Sequence, residues 1–221
     1  MRQFRKCISM TIFVDSAIIE EVQQAADWGW IGGATTNPSL LAKSPLPPRE
    51  TLQKMAEILD GSVFYQLTAP TLEGMLHEAL EAHHILQDQL VLKIPATTLG
   101  FQAAARLSDD YCCAVTAIFS PEQALLAHAC GARYAIYYHN RAKQWMPDGA
   151  ELGPKMVHLL SGYEDIEVMA ASFKSKQEVL EAASAGVKHL TIKFDLLKSL
   201  AENEFSQKAM DEFNATGCGI V

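Results

Sequence analysis

Two lysines stand in otherwise apolar runs, Lys93 in Leu90-Val91-Leu92-Lys93-Ile94-Pro95 and Lys193 in Thr191-Ile192-Lys193-Phe194. An ammonium carried into a dry interior loses hydration, which favours the neutral amine and lowers its pKa. A neutral amine attacks a ketone to form an imine. Once protonated, the imine accepts the electrons of an adjacent breaking C–C bond as an enamine. The same local pattern also fits a structural lysine paired with Asp15 or reaching for the rim, and the run around Lys93 does not separate the two readings. For Lys193 a phosphate contact or a plain ion pair suits the sequence better than nucleophilicity.

Other polar residues fall where the apolar runs end: Asp15, Thr35, Asn37, Gln66, Thr116, Tyr138, Arg141, Ser172 and Lys174. Asp15 could orient an amine, hold a substrate hydroxyl or relay protons, or simply cap a helix. Tyr138 and Thr116 could position a catalytic water, against the ordinary reading of a packed tyrosine. Arg141 and Lys174 are the cations that an acidic protein would place for a phosphorylated substrate. His83, His84, His128 and His158 sit on helical patterns without metal-ligand spacing, so no metal is expected.

The elements that must position these groups alternate regularly. Strand patterns are read at Met10–Asp15, Gly32–Thr36, Val63–Leu67, Leu90–Ile94, Cys112–Phe119, Arg133–His139, Ile166–Ala171 and His189–Phe194, with helical patterns between them. Ser16 is expected to cap the first helix, which runs through Trp28. Ser120-Pro121 opens another by a cap followed by proline at the first turn. After the sixth strand a Pro- and Gly-containing loop is expected before a helix ending near Leu160. Strands separated by helices imply parallel pairing. Eight such units predict a single-domain α/β protein, a (β/α)8 TIM barrel with its site at the C-terminal strand ends. An open doubly wound sheet is the alternative, but the first strand ends in Asp15-Ser16-Ala17 rather than in a glycine-rich phosphate loop. Residues 10–221 are expected to form the barrel and a C-terminal helix, and residues 1–9 a short extension without a role.

The 221 residues carry a net charge of −8, which argues against nucleic acid or an anionic membrane as a partner. No apolar stretch approaches the roughly 20 residues of a membrane span. The five cysteines are odd in number and form no CxxC, as expected in a reducing compartment such as the cytoplasm.

Several stretches resemble one family, the transaldolases, and within it the small branch that includes fructose-6-phosphate aldolase. They are Phe13-Val14-Asp15-Ser16, Ala34-Thr35-Thr36-Asn37-Pro38-Ser39, Val91-Leu92-Lys93-Ile94-Pro95, Gly131-Ala132-Arg133-Tyr134, Asn140-Arg141 and Ala170-Ala171-Ser172-Phe173-Lys174. The resemblance covers about Thr11 to Leu200. It implies that Lys93 is the Schiff-base lysine, that Asp15 and Asn37 with Thr35 beside them hold a dihydroxyacetone unit, and that Arg141, Ser172 and Lys174 bind phosphate. It implies no cofactor.

Gln66 stands where transaldolases are similar in having an acid/base glutamate, Ala114 where they have asparagine, and Tyr138 where they have phenylalanine. All three resemble the aldolase branch, in which glutamine, threonine and tyrosine hold the catalytic water and Tyr138 would exchange the proton. The implied activity is cleavage of fructose 6-phosphate or a related ketose into dihydroxyacetone and an aldehyde. Transaldolase transfer is the alternative, and a non-catalytic sugar-phosphate-binding barrel a more distant one. Departures at Ala142 to Gly149, Tyr137 and Lys193 are expected to cluster on the acceptor side of the site. Family members form homo-oligomers, some of them decamers, with the helix matching Phe205–Phe213 crossing to a neighbour.

Overall fold

Side chains on a strand point alternately to opposite faces, and that alternation sorts most of the strands of this chain. Phe13, Phe64, Val91, Ala114, Ile136 and Met169 pack against one another in one cluster. Their neighbours Val14, Val63, Leu92, Ile94, Val115, Tyr137 and Ala170 belong to a second cluster shared with the helices. A sheet apolar on both faces must be filled inside and covered outside, which is the requirement a closed α/β barrel satisfies.

The computed structural model describes residues 10–220; the expected extension over residues 1–9 lies outside them. In chain order the elements are β1 (Thr11–Asp15), α1 (Ile19–Asp27), β2 (Gly33–Thr35), α2 (Pro38–Leu41), α3 (Pro48–Ile58), β3 (Ser62–Gln66), α4 (Leu72–Leu86), β4 (Leu90–Pro95) and α5 (Thr98–Leu107). They continue as β5 (Cys113–Ile118), α6 (Pro121–Ala129), β6 (Tyr134–Tyr138), α7 (His139–Trp145), α8 (Leu152–Leu160), β7 (Glu167–Ala171), α9 (Lys176–Ser184), β8 (His189–Ile192), α10 (Phe194–Leu200) and α11 (Glu204–Thr216). The eight strands are parallel and close in sequence order, β8 pairing with β1 through Thr11↔His189 to Val14↔Ile192. The (β/α)8 barrel read from the sequence is therefore the fold. Among the described residues no helix is long and apolar enough to cross a membrane.

Helix starts are fixed by side-chain caps. Thr71, Thr97, Ser120 and Ser175 each accept from the backbone N–H three residues on, each contributing about 1 kcal/mol. β2 is built of small residues because it runs close to β3: Gly33 has φ 138°, and a Cβ there would lie 2.0 Å from the Ser62 carbonyl oxygen.

Three local expectations are corrected. Ser16 does not cap α1; the cap position is Ile18, and the Ser16 hydroxyl donates to Glu21 at 2.5 Å while accepting from Ile18 N–H at 3.1 Å. The stretch after β6 opens with a helix, α7, before the expected turn with Pro147 and Gly149 that leads into α8; its polar sequence hides that helix because only His139, Asn140 and Ala142 are buried. β8 stops at Ile192, so Lys193 is not a strand residue; it is exposed and precedes α10.

Candidate active site

Two residues beyond the apolar layer, each strand's inward face reaches the C-terminal mouth of the barrel. Phe13 leads to Asp15, Phe64 to Gln66, Val91 to Lys93, Ala114 to Thr116 and Ile136 to Tyr138. Register sets Gln66 beside Lys93 and Asp15 beside Thr35. Asp15, Asn37, Gln66, Lys93 and Tyr138, with Arg141, Ser172 and Lys174 from the flanking segments, line one pocket of about 580 Å³. Eight of the ten residues expected from the sequence thus share a cavity, while Thr35 and Thr116 are fully buried behind its wall.

Among the described residues Lys93 is the one lysine buried in this mouth, 5% exposed, while Lys193 stands on the rim. Its Nζ donates to the Thr36 carbonyl at 2.8 Å. Burial pulls the amine down from 10.5 to about 8, opposed in part by the charge of Asp15. Desolvation of this kind favours the neutral amine, the form that can act as a nucleophile.

Asp15 is held by a chain of hydroxyls. Thr35 Oγ1 donates to Asp15 Oδ1 at 2.8 Å and lies 2.5 Å from Thr191 Oγ1. Thr35 therefore contacts the carboxylate and not the cavity. Thr116 Oγ1 donates to the Tyr138 hydroxyl at 3.3 Å, leaving the phenolic proton for a group in the pocket. A register shift in the pairing of β5 with β6 and the positive φ of Ala117 (59°) mark a bulge at Thr116, a device that re-aims a side chain. Gln66 Oε1 is buried and has no hydrogen-bond partner among the described residues. A buried acceptor of this kind needs a donor from the ligand or from water. Asn37 has two functions: its Oδ1 caps α2 by accepting from Leu40 N–H at 3.0 Å, and its amide N–H2 remains for the pocket.

At the other end, Ser172 is held at φ 67°, a strained conformation for a non-glycine residue worth about 1–3 kcal/mol. Its carbonyl accepts from Asn140 N–H at 3.3 Å. Glu178 ties the two flanking segments together, accepting from Asn140 Nδ2 at 2.7 Å and from the backbone N–H of Lys174 at 2.8 Å. Sequence reasoning missed Glu178, although Ser175-Lys176-Gln177-Glu178 is a capping-box pattern. It also missed Thr191 and Lys43, for which the sequence carries no signal. Trp145, expected only as a departure, lines the pocket. Tyr137 does not belong to the acceptor side: it is buried on the outer face, its hydroxyl 3.2 Å from His139 Nδ1, and Gly153 leaves the room it needs.

The sequence model of the Transaldolase/Fructose-6-phosphate aldolase family matches residues 12–217. Proteins named "Probable transaldolase" from Kosmotoga olearia and Caldicellulosiruptor saccharolyticus are each 36% identical over 92% of this chain, covering 94% and 95% of those proteins. One with the same name from Aquifex aeolicus is 33% identical over 92% of this chain and 94% of its own length. A structure of mandelate oxidase with (S)-2-phenylpropionate superposes with a TM-score of 0.62 at 16% identity, over 94% of this chain and 74% of that one. That likeness concerns the barrel fold alone.

Proposed function

The chain belongs to the transaldolase/fructose-6-phosphate aldolase family, and from that premise we propose that it is a class I aldolase splitting fructose 6-phosphate or a related ketose into dihydroxyacetone and an aldehyde. The observation that carries this reading is the buried Lys93, drawn down to about 8, facing a pocket with Gln66 and Tyr138 in its wall.

The neutral Lys93 amine attacks the ketose carbonyl, and loss of water leaves a protonated imine. Asp15 offsets its positive charge and, with the Asn37 amide, holds the hydroxyls of the three-carbon unit. Cleavage of the C3–C4 bond sends its electron pair into the imine as an enamine. The proton of the C4 hydroxyl passes to a water held by Gln66 and Tyr138, and the aldehyde departs. Reprotonation of the enamine at C3 and hydrolysis of the imine return dihydroxyacetone and the free lysine. Arg141, Ser172 and Lys174 receive the phosphate at the far end of the substrate. The odd number of cysteines, with no CxxC among them, supports a cytoplasmic setting.

Incubation with fructose 6-phosphate and no acceptor should release glyceraldehyde 3-phosphate. A second reading is transaldolase, favoured by the names of the relatives. It predicts no release without acceptor and efficient transfer to erythrose 4-phosphate. Gln66 and Tyr138 in place of glutamate and phenylalanine support the first reading over the second.

A further inference from the structure

Arg141 is held in an unusual way for the cation of a binding pocket. Arg49 and Arg133 each take a glutamate, at 2.6 and 2.8 Å. Arg141 has no ion-pair or hydrogen-bond partner among the described residues. Its guanidinium instead lies over two rings, 4.9 Å from the Tyr138 centroid and 5.6 Å from that of Trp145. The carboxylates that reach α7 are spent elsewhere, Glu178 on Asn140 and Glu181 on His139 and Lys143. Trp145 is 63% exposed, so burial alone does not fix its place. What fixes it is Phe119, whose ring stacks on it at 5.4 Å and 23° and meets Tyr138 edge-on at 5.9 Å.

A guanidinium paired with a carboxylate has part of its charge neutralised and its donors occupied. One set against aromatic faces is oriented while its N–H donors remain available. We propose that Trp145, backed by Phe119, is a positioning residue that clamps Arg141 against Tyr138 and so determines the preference of this pocket for phosphorylated over unphosphorylated aldehydes. The inference rests on the aldolase reading only for the identity of the ligand. The clamp itself requires nothing more than a phosphoryl group reaching Arg141.

The test has two arms. In aldol addition with dihydroxyacetone as donor, the ratio of kcat/KM for glyceraldehyde 3-phosphate to that for glyceraldehyde is measured for wild type, Trp145→Ala, Trp145→Phe and Phe119→Ala. A cation–π contact at a part-exposed site is worth about a five- to tenfold fall in that ratio for Trp145→Ala, with recovery in Trp145→Phe and a smaller fall in Phe119→Ala. In the second arm, inorganic phosphate is titrated calorimetrically into the same proteins. Its Kd should weaken by the same factor in Trp145→Ala and recover in Trp145→Phe. The binding arm does not depend on turnover, so failure of the aldolase reading leaves it intact, and borohydride trapping on Lys93 reports that reading separately. An unchanged Kd in Trp145→Ala, or wild type that does not bind phosphate, overturns the proposal. So does a kcat/KM ratio that stays constant while both aldehydes lose rate together.

Discussion

Replacing Lys93 by methionine removes the amine and leaves an unbranched apolar chain in the same buried slot. Turnover should vanish, yet the protein should become more stable. The distance between an ordinary lysine at 10.5 and the buried one at about 8 corresponds to about 3 kcal/mol against the charged form in the folded state. Loss of the 2.8 Å bond to the Thr36 carbonyl returns about 1 kcal/mol, so the net gain near pH 7 is about 2 kcal/mol. For a chain of this size that is a rise in Tm of about 4–8 °C. The gain has a defined pH window. Between about pH 8 and 10.5 the unfolded wild type still binds a proton that the folded protein has released, so wild-type stability climbs with pH there. Methionine binds no proton, so the margin of Lys93→Met is full below about pH 8 and fades towards 10.5. Thermal unfolding of both proteins at pH 7 and pH 10 reads this directly. A variant that melts at or below wild type at pH 7, or a margin that does not narrow at pH 10, would refute the claim that burial depresses this amine.

Tyr138→Phe should lower kcat by about a hundredfold or more while leaving imine trapping intact, because the phenol moves protons but does not form the adduct; equal loss of trapping would show a structural defect instead. Gln66→Glu puts a carboxylate beside Lys93 in register, so the pH limb of trapping should move to higher pH, and a move to lower pH contradicts the geometry. We also expect a homo-oligomer, since α11 buries no residue within the chain and exposes Phe205, Met210 and Phe213; light scattering that returned the mass of one chain would remove this expectation.

Most of the barrel was legible because buried parallel strands are short apolar runs that stand out between amphipathic helices, as in Leu90–Pro95. Once Val91 faces inward, period two makes Lys93 face inward as well, and the same step from Phe13, Phe64, Ala114 and Ile136 reaches Asp15, Gln66, Thr116 and Tyr138. What the alternation could not reveal is depth. Thr35 and Thr116 point the right way yet sit behind the residues that meet the cavity, because each hydroxyl is taken by a neighbour. Helix α7 was hidden because its sequence lacks an apolar stripe; it is held by Asn140 and His139 bonding to acids on α9, a long-range pairing with no local signature. Lys193 was misplaced because Phe194 extends the apolar pattern past the last pairing of β8 with β1 at Ile192.

The central claim is covalent, and one measurement addresses it directly. Reduction by borohydride in the presence of fructose 6-phosphate or dihydroxyacetone, followed by peptide mass mapping, should leave a reduced three- or six-carbon adduct on Lys93. An adduct on Lys193 instead, or none on any lysine while turnover proceeds, would contradict the account.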